Sequence, residues 1–185
     1  MYNRILTALD AQDSDVFEIA LSISISTNAS LLLLHVLSRH GQGSPPSPIA
    51  VDWDYEIPLS PDAWKNYQKQ WKAYEEKGLS LLHDYTERAE VAGVTADFLQ
   101  TINSPEMGIV QAANTWQADL IVMGSHQRKG LEELMMGSVS NYVMHHAPCS
   151  VMIVASIDSE RPGERDTSRL TACQTAEKRQ VVASA

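Results

Sequence analysis

The stretch LIVMGSHQRKGLEELMMGSVSNYVMHHAPCSVMIV, residues 120–154, decides the fold class of this chain. It begins and ends with apolar runs that are too short to cross a membrane and that suit strands covered on both faces of a sheet. Between these runs lie three glycines, a basic cluster and a possible helix start at Gly137. The stretch therefore predicts a strand, a glycine-bearing loop, a short helix and a further strand.

Strands and helices alternate in the same way towards the N-terminus. After Ser14, apolar residues recur mostly at helical spacing. Ser22, Ser24 and Ser26 alternate with apolar residues, so a strand is the alternative there. The length of the segment favours a helix. Such alternation indicates right-handed crossovers and a mostly parallel sheet. We expect one flavodoxin-like, Rossmann-like α/β domain with an open parallel five-stranded sheet and helices on both faces. Strands are predicted at 4–9, 29–37, 94–102, 119–125 and 148–155.

Two segments depart from this alternation. Residues 39–62 contain five prolines and two glycines, which predicts a long loop without a regular element. Residues 157–185 are polar and show no periodicity, so we expect a disordered C-terminal tail. The α/β domain is therefore placed at residues 1–156, with 39–62 as a proline-rich insertion.

A long helix is predicted from about residue 62 to 92, and it carries an aromatic stripe. Aromatic and leucine side chains recur there at spacings of three, four and seven, which places them on roughly one face. Packing on the sheet or on a partner subunit is the preferred interpretation over a ligand box. The stripe consists of Trp64, Tyr67, Trp71, Tyr74, Leu81, Leu82 and Tyr85.

Composition and charge exclude several classes of protein. The formal net charge is −9, from 14 Lys and Arg against 23 Asp and Glu, which is unsuited to general nucleic-acid binding because phosphates require clustered cations. No run of about 18 apolar residues is present, so no membrane partner is expected. The N-terminus is too quickly polar for a secretory signal, and Cys149 and Cys173 form no disulfide framework. We expect a cytoplasmic protein.

Three predicted strands end in residues suited to ligand binding. Asp10 lies just past the first strand, Val36 late in the second, and Gly124 at the end of the fourth. In parallel sheets the carboxyl ends of the strands share one edge, and ligands bind there near the switch in strand order. We therefore expect these three positions to converge, although Asp10 as a simple strand end is the alternative.

The glycine loop after Gly124 has the features of a phosphate cradle. Glycine lets an anion approach the backbone, and the first turn of the helix after Gly137 offers free N–H groups and a positive dipole end. Ser138 and Ser140 add hydroxyl donors, and His126, Arg128 and Lys129 place local positive charge in an acidic chain. The spacing is neither a Walker loop nor the dinucleotide fingerprint. Ordinary turn and cap glycines are the alternative interpretation.

Three further histidines predict no catalytic or metal site. His35 lies within an apolar strand and is interpreted as a hydrogen-bonded core residue. His145 and His146 are adjacent on a helix and point in different directions, so with Cys149 they suit packing or surface roles. No serine has a His and Asp partner suggested by the sequence, so no nucleophilic triad is assigned.

Residues 120–154 resemble the universal stress protein family, and the resemblance extends from residue 2 to about 155. The nucleotide-binding branch of that family carries Gly, two residues, Gly, nine residues, Gly and then Ser or Thr. Gly124 and Gly137–Ser138 match the first and last positions, whereas Gln127 stands at the middle glycine. The resemblance implies that ATP or AMP binds, with or without Mg²⁺.

The resemblance also implies roles for individual residues. Asp10 matches the family's acidic residue that contacts the nucleoside, and Val36 falls where the family uses backbone groups on the adenine. A homodimer made partly by the last strand, CSVMIVA, is implied as well. The residues assigned to nucleotide binding are Ala8, Leu9, Asp10, Val36, Met123, Gly124, His126, Gln127, Gly137, Ser138, Val139 and Ser140.

The function expected from these features is a dimeric stress-response protein that binds ATP or another adenine nucleotide, with slow ATP hydrolysis at most. One alternative is a nucleotide-free dimeric interaction module of the same fold. Another is an ATP-using hydrolase or transferase. Such an enzyme would need a general base and metal-binding carboxylates at the pocket, and Asp10 is the only carboxylate predicted there.

Overall fold

The computed structural model describes residues 1–10, 14–39, 41, 43–47, 51–52, 55–56, 60–125 and 137–155. Strands and helices alternate through these ranges. In chain order the elements are β1 (Arg4–Ala8), α1 (Ser14–Thr27), β2 (Ser30–Leu37), β3 (Val51–Asp52), β4 (Tyr55–Glu56), α2 (Pro61–Val91), β5 (Ala96–Ile102), α3 (Pro105–Trp116), β6 (Leu120–Ser125), α4 (Ser138–His146) and β7 (Ser150–Ala155).

Five strands form one parallel sheet in the order β5-β2-β1-β6-β7. The chain moves outward from β1 through β2 to β5, and then returns to the other side of β1 for β6 and β7. The strand order therefore reverses between β1 and β6, where Ala8 is paired with Met123. The predicted flavodoxin-like fold class is confirmed.

Helices cover both faces of this sheet. On the face of α1 and α2, Phe17 and Leu82 are buried with Leu33 of β2. On the face of α3 and α4, Val143 is buried with Ile121 of β6. The central strands are buried on both sides, which is why their sequences are continuous apolar runs rather than alternating ones.

The serine-containing segment in α1 is helical, as its length predicts. The hydroxyls of Ser26 and Thr27 each donate to the main-chain oxygen four residues earlier, on Ser22 and Ile23, at 2.8 Å. These two hydroxyls are thus satisfied within the helix, whereas the buried Ser24 Oγ has no hydrogen-bond partner among the described residues. The chain leaves the helix at Asn28, whose φ of 56° is left-handed, a conformation that Asn tolerates better than most residues.

Only the C-terminal half of α2 is anchored in the core. The helix starts at the N-cap Ser60, whose Oγ accepts from the Ala63 N–H at 3.2 Å, and it continues for 31 residues. Residues 61–77 of this helix include no buried residue, and Trp64 is 45% exposed. Packing of the stripe on the sheet therefore holds for Leu82 and Tyr85 but not for Trp64. The buried residues of α2 are Gly78, Leu82, Tyr85 and Ala89.

The expectation that residues 39–62 contain no regular element is wrong for Val51–Asp52 and Tyr55–Glu56. Val51 pairs with Glu56 and Asp52 with Tyr55 in an antiparallel ladder. The five prolines of the insertion lie outside these two strands, so every backbone N–H needed for the ladder is present. The predicted tail, residues 157–185, lies outside the described residues, so its disorder stays a prediction.

Candidate functional site

The carboxyl ends of β1 and β6 lie side by side at the reversal of strand order. Ala8 is paired with Leu34 on one side and with Met123 on the other. The Leu9 N–H continues the ladder by donating to the Leu34 oxygen at 2.8 Å. Asp10 therefore emerges at the end of the central strand, directly beside the point where β6 reaches Gly124.

The side chains at this edge divide between the core and the surface. Leu9 and Met123 are buried in the cores on opposite faces of the sheet, so they shape the wall without offering polar groups. Asp10 is half-buried, and its negative charge reaches both His35 and Tyr74, where it favours a higher pKa of each group. Asp10 is thus the charged group that faces this part of the site.

Val36 is held near the carboxyl end of β2 by close contact with α3. A Cβ added to Gly108 would lie 2.9 Å from Val36 Cγ2, closer than real Cβ contacts allow. Glycine at 108 therefore lets α3 approach the sheet at this position. Val36 lies where the sequence predicts it, on the second strand of the edge that also carries Asp10.

The short helix α4 begins at the predicted phosphate-binding residues. Gly137 is its N-cap, and Ser138 is its first residue. Ser140 is 2% exposed, and its Oγ donates to the Gly137 main-chain oxygen at 3.0 Å. Ser138 is exposed and Val139 half-buried. Of the two hydroxyls predicted to serve a phosphate, Ser138 is therefore the accessible one, while Ser140 is used within the first turn.

The cationic part of the predicted loop is outside the described residues. His126 and Gln127 fall there, as do Arg128 and Lys129. Their contribution to a phosphate site, and the effect of Gln at the middle position of the motif, stay predictions.

His35 is a hydrogen-bonded core histidine, as the sequence predicts. It is 5% exposed, and its Nδ1 lies 3.0 Å from Gln100 Nε2 on β5. Burial is the main cause that lowers its pKa, and Asp10 opposes this shift. Sequence reasoning missed both Gln100 and Gly78 of α2, against which the ring packs. A glycine inside a long helical pattern was the available signal for a close approach.

The histidines of α4 lie in no cluster of potential metal ligands among the described residues. The His146 ring stacks on Tyr142 with centroids 3.9 Å apart. Within the described ranges no group of three or more His, Cys, Asp or Glu side chains is arranged to hold a metal ion. Burial raises the pKa of the half-buried Cys149 thiol, and Asp119 adds to this shift, so the thiol is poorly activated for nucleophilic chemistry.

An open groove of about 450 Å³ lies beside α2, apart from the predicted site residues. It is bounded by the N-terminal half of α2 and by the ends of β2 and β5. The groove is lined by Arg39, Tyr67, Gln68, Trp71, Lys72, Glu75 and Ile102.

No helix in the described ranges combines the length and apolarity that crossing a membrane requires.

The sequence profile of the universal stress protein family matches residues 1–155, which span the whole sheet and the edge described above. The chain belongs to the universal stress protein family. Among its relatives, universal stress protein Slr1101 of Synechocystis is 37% identical over 100 residues, which are 54% of this chain and 90% of the relative. Universal stress protein YxiE of Bacillus subtilis is 30% identical over 156 residues, 83% of this chain and 99% of the relative.

Solved structures of universal stress proteins share the fold. The protein UspA from Lactobacillus plantarum superposes with a TM-score of 0.64 at 20% identity, covering 83% of this chain and 97% of that one. Among other matches, a universal stress protein in complex with cAMP gives 0.54 at 20% identity, covering 83% and 96%. The Arabidopsis thaliana protein At3g01520 with AMP bound gives 0.52 at 22% identity, covering 88% and 97%.

Proposed function

We propose that this universal stress protein binds an adenine nucleotide, AMP or ATP, at the carboxyl edge between β1 and β6. The observation that carries the proposal is the pairing of Ala8 with Met123 at the reversal of strand order, which puts Asp10 and Gly124 on adjacent strand ends. Open parallel sheets bind ligands at this point because the two neighbouring crossovers leave on opposite faces.

The two ends of the ligand would meet chemically different groups. The Asp10 carboxylate suits the hydroxyls of a ribose, and the backbone around Val36 suits the edge of an adenine. The phosphate would lie at the start of α4, where Gly137 brings no side chain to cover the first N–H groups and the helix dipole favours negative charge. The cAMP and AMP complexes of proteins with this fold support the choice of an adenine ligand.

Binding rather than catalysis is the activity that the site residues favour. Asp10 is the single carboxylate among the residues assigned to the site, whereas hydrolysis would need a group to activate water and further ligands for Mg²⁺. Any ATP hydrolysis would therefore be slow and secondary to binding.

Replacing Asp10 with asparagine should weaken AMP binding about tenfold. A hydrogen bond from a ribose hydroxyl contributes roughly 1.5–3 kcal/mol with a charged acceptor but roughly 0.5–1.5 kcal/mol with the neutral amide oxygen, and a tenfold change is about 1.4 kcal/mol. Titration calorimetry of the purified protein measures this change, after denaturation and mass spectrometry have identified any nucleotide that co-purifies. Asp84→Asn removes the same charge from the exposed side of α2 and should leave binding unchanged. Absence of AMP binding at millimolar concentration in the wild type would favour the nucleotide-free interaction module.

We further propose that β7 forms a two-fold dimer. In the described sheet β7 is an edge strand that pairs with β6 alone, and an apolar edge of this kind invites pairing with a second copy. Met152 is 37% exposed on this strand, whereas Val154 is 7% exposed and belongs to the core. Met152 is therefore the position at which assembly can be tested without disturbing the interior.

The Met152→Lys variant should shift the protein from dimer to monomer at micromolar concentration. The reason is that a charge placed on the pairing edge would lose its hydration on association. Sedimentation equilibrium measures the shift, and circular dichroism shows that the fold persists. Met144→Lys, an equally drastic change at an exposed position of α4, is the control. A wild-type monomer under the same conditions would contradict the proposal.

A further inference from the structure

Two consecutive residues of β2 are each held by a glycine of a flanking helix. His35 and Val36 point to opposite faces of the sheet. A Cβ on Gly78 of α2 would lie 2.4 Å from His35 Nδ1, and one on Gly108 of α3 would lie 2.9 Å from Val36 Cγ2. The carboxyl end of β2 is therefore fixed between two helices by close contacts, which are possible because Gly78 and Gly108 have no side chains.

The hydrogen bonds around His35 determine its protonation state. Gln100 Nε2 is 3.3 Å from the main-chain oxygen of Glu75 and 3.0 Å from His35 Nδ1. A carbonyl oxygen only accepts, so the amide group of Gln100 must face Glu75 with its nitrogen. The second hydrogen of that nitrogen then points to Nδ1, which must accept. His35 is neutral in this arrangement, with its proton on Nε2.

A second proton on His35 is incompatible with this arrangement. Nδ1–H would face the Gln100 N–H group, and both are donors. If the Gln100 amide turned over to present its oxygen to Nδ1–H, that oxygen would face the Glu75 carbonyl and the bond to α2 would be lost. Protonation therefore breaks a contact between α2 and the sheet. Residues 61–77 include no buried residue. The contact between Gln100 and Glu75 therefore lies close to the point at which α2 starts to pack on the sheet.

The charged neighbours of His35 connect it to the proposed nucleotide site. Asp10 at the end of β1 faces it with a negative charge. From α2, the Tyr74 ring lies at a centroid distance of 6.3 Å, and burial raises the pKa of its hydroxyl. The Glu75 carboxylate accepts from Trp71 Nε1 at 3.2 Å, and Gln100 on β5 is uncharged. Asp10 is thus the neighbour through which a charge on His35 would act.

We propose that His35, Gln100 and the Glu75 carbonyl form a proton-sensitive latch that positions Asp10 and Val36, so that protonation of His35 weakens nucleotide binding. The inference rests on the proposed function, because it concerns regulation of the same site. A positive His35 draws the Asp10 carboxylate to itself and so away from a ribose. It also loosens the segment of β2 that carries Val36. His35 is a positioning residue here, since it touches no ligand itself.

The direction of the pH dependence follows from the burial of His35. Its pKa lies below the ordinary value of 6.5 because burial disfavours the charged form. The unfolded chain and any opened state take up the proton first as the pH falls. The latch is therefore complete above about pH 6.5 and is lost as the pH falls through the pKa of the folded protein. Acidification is therefore the condition that would open the latch and lower the affinity for the nucleotide.

The test compares AMP binding by the wild type and by His35→Asn between about pH 8 and pH 5. The Asn amide oxygen replaces Nδ1 as the acceptor for Gln100 but does not titrate in this range. Below the midpoint of His35, wild-type affinity should fall by up to about tenfold per pH unit more than that of His35→Asn, because one proton competes with the ligand. The AMP phosphate itself titrates at about pH 6, and this contribution cancels because both proteins meet the same ligand.

A measurement without ligand separates the latch from the proposed function. Hydrogen exchange of the α2 amides around Gly78, corrected for intrinsic exchange rates, should accelerate at low pH in the wild type and stay level in His35→Asn. Equal pH profiles of the two proteins in exchange would overturn the latch, and equal profiles in AMP affinity would overturn its coupling to the site. A wild type that shows the exchange response but binds no AMP near pH 8 would overturn the proposed function and, with it, the coupling, while supporting the latch.

Discussion

Replacing Gly78 with alanine should destabilise the protein by about 2 kcal/mol, although the same change usually stabilises a helix. Alanine is favoured over glycine within helices by about 1 kcal/mol. The new methyl group, however, would lie 2.2 Å from Gln100 Nε2 and 2.4 Å from His35 Nδ1. Gln100 has a flexible side chain, but the His35 ring is buried in β2. Overpacking of about 1–3 kcal/mol and a lost hydrogen bond to a buried group outweigh the helix propensity.

Thermal denaturation measures the effect of Gly78→Ala as a lowered melting temperature, by roughly 4–8 °C for a chain of this length. Ser80→Ala is the matched control, because Ser80 is exposed on the same helix; its stability should change by less than about 0.5 kcal/mol. In a His35→Ala background the cost of Gly78→Ala should shrink, since the ring is gone. A stabilised Gly78→Ala variant would show that α2 does not approach the sheet here.

Changes in the glycine loop should move nucleotide affinity in opposite directions. Gln127→Gly should tighten ATP and AMP binding by several-fold to tenfold, because Gln adds a side chain where the family's motif lets phosphate oxygens reach the backbone. If that position needs a positive φ, the strain costs about 1 kcal/mol, and a factor of ten in affinity is about 1.4 kcal/mol. Calorimetry with both nucleotides measures the change.

Gly137→Val should abolish measurable binding of both nucleotides. The valine side chain would cover the N–H groups at the start of α4, where the phosphate is proposed to lie. Gly137 has φ −59° and ψ 156°, an extended backbone that valine adopts readily, so the fold should persist. Gly137→Ala, which adds a smaller group, should show an intermediate loss. If the wild type and Gln127→Gly both fail to bind at millimolar nucleotide, the loop is an ordinary turn.

Much of the architecture was predictable because it depends on local pattern. The strand at 120–125 and the helix after Gly137 were visible as a short apolar run and a start signal, and the helix at 14–27 followed from length and spacing. The alternation of these elements also placed Asp10 at a shared edge. The pairing of Val51–Asp52 with Tyr55–Glu56 was missed. Prolines and glycines elsewhere in residues 39–62 dominated the composition of the segment, although none lies within these two short strands.

By itself the sequence determined the order of strands and helices, the family, and the positions that would lie at the carboxyl edge of the sheet. Only the tertiary structure decided which side chains meet there. His35 and Gln100 are separated by 65 residues, and no periodicity within either strand shows that β2 and β5 are neighbours in register. The use of Ser140 within α4, the exposure of Ser138 and the place of Gly78 over the His35 ring likewise depend on packing between distant segments. Such contacts depend on how helices pack against a sheet. At Gly78 the absence of a methyl group lets α2 approach the sheet closely, although glycine is disfavoured within a helix.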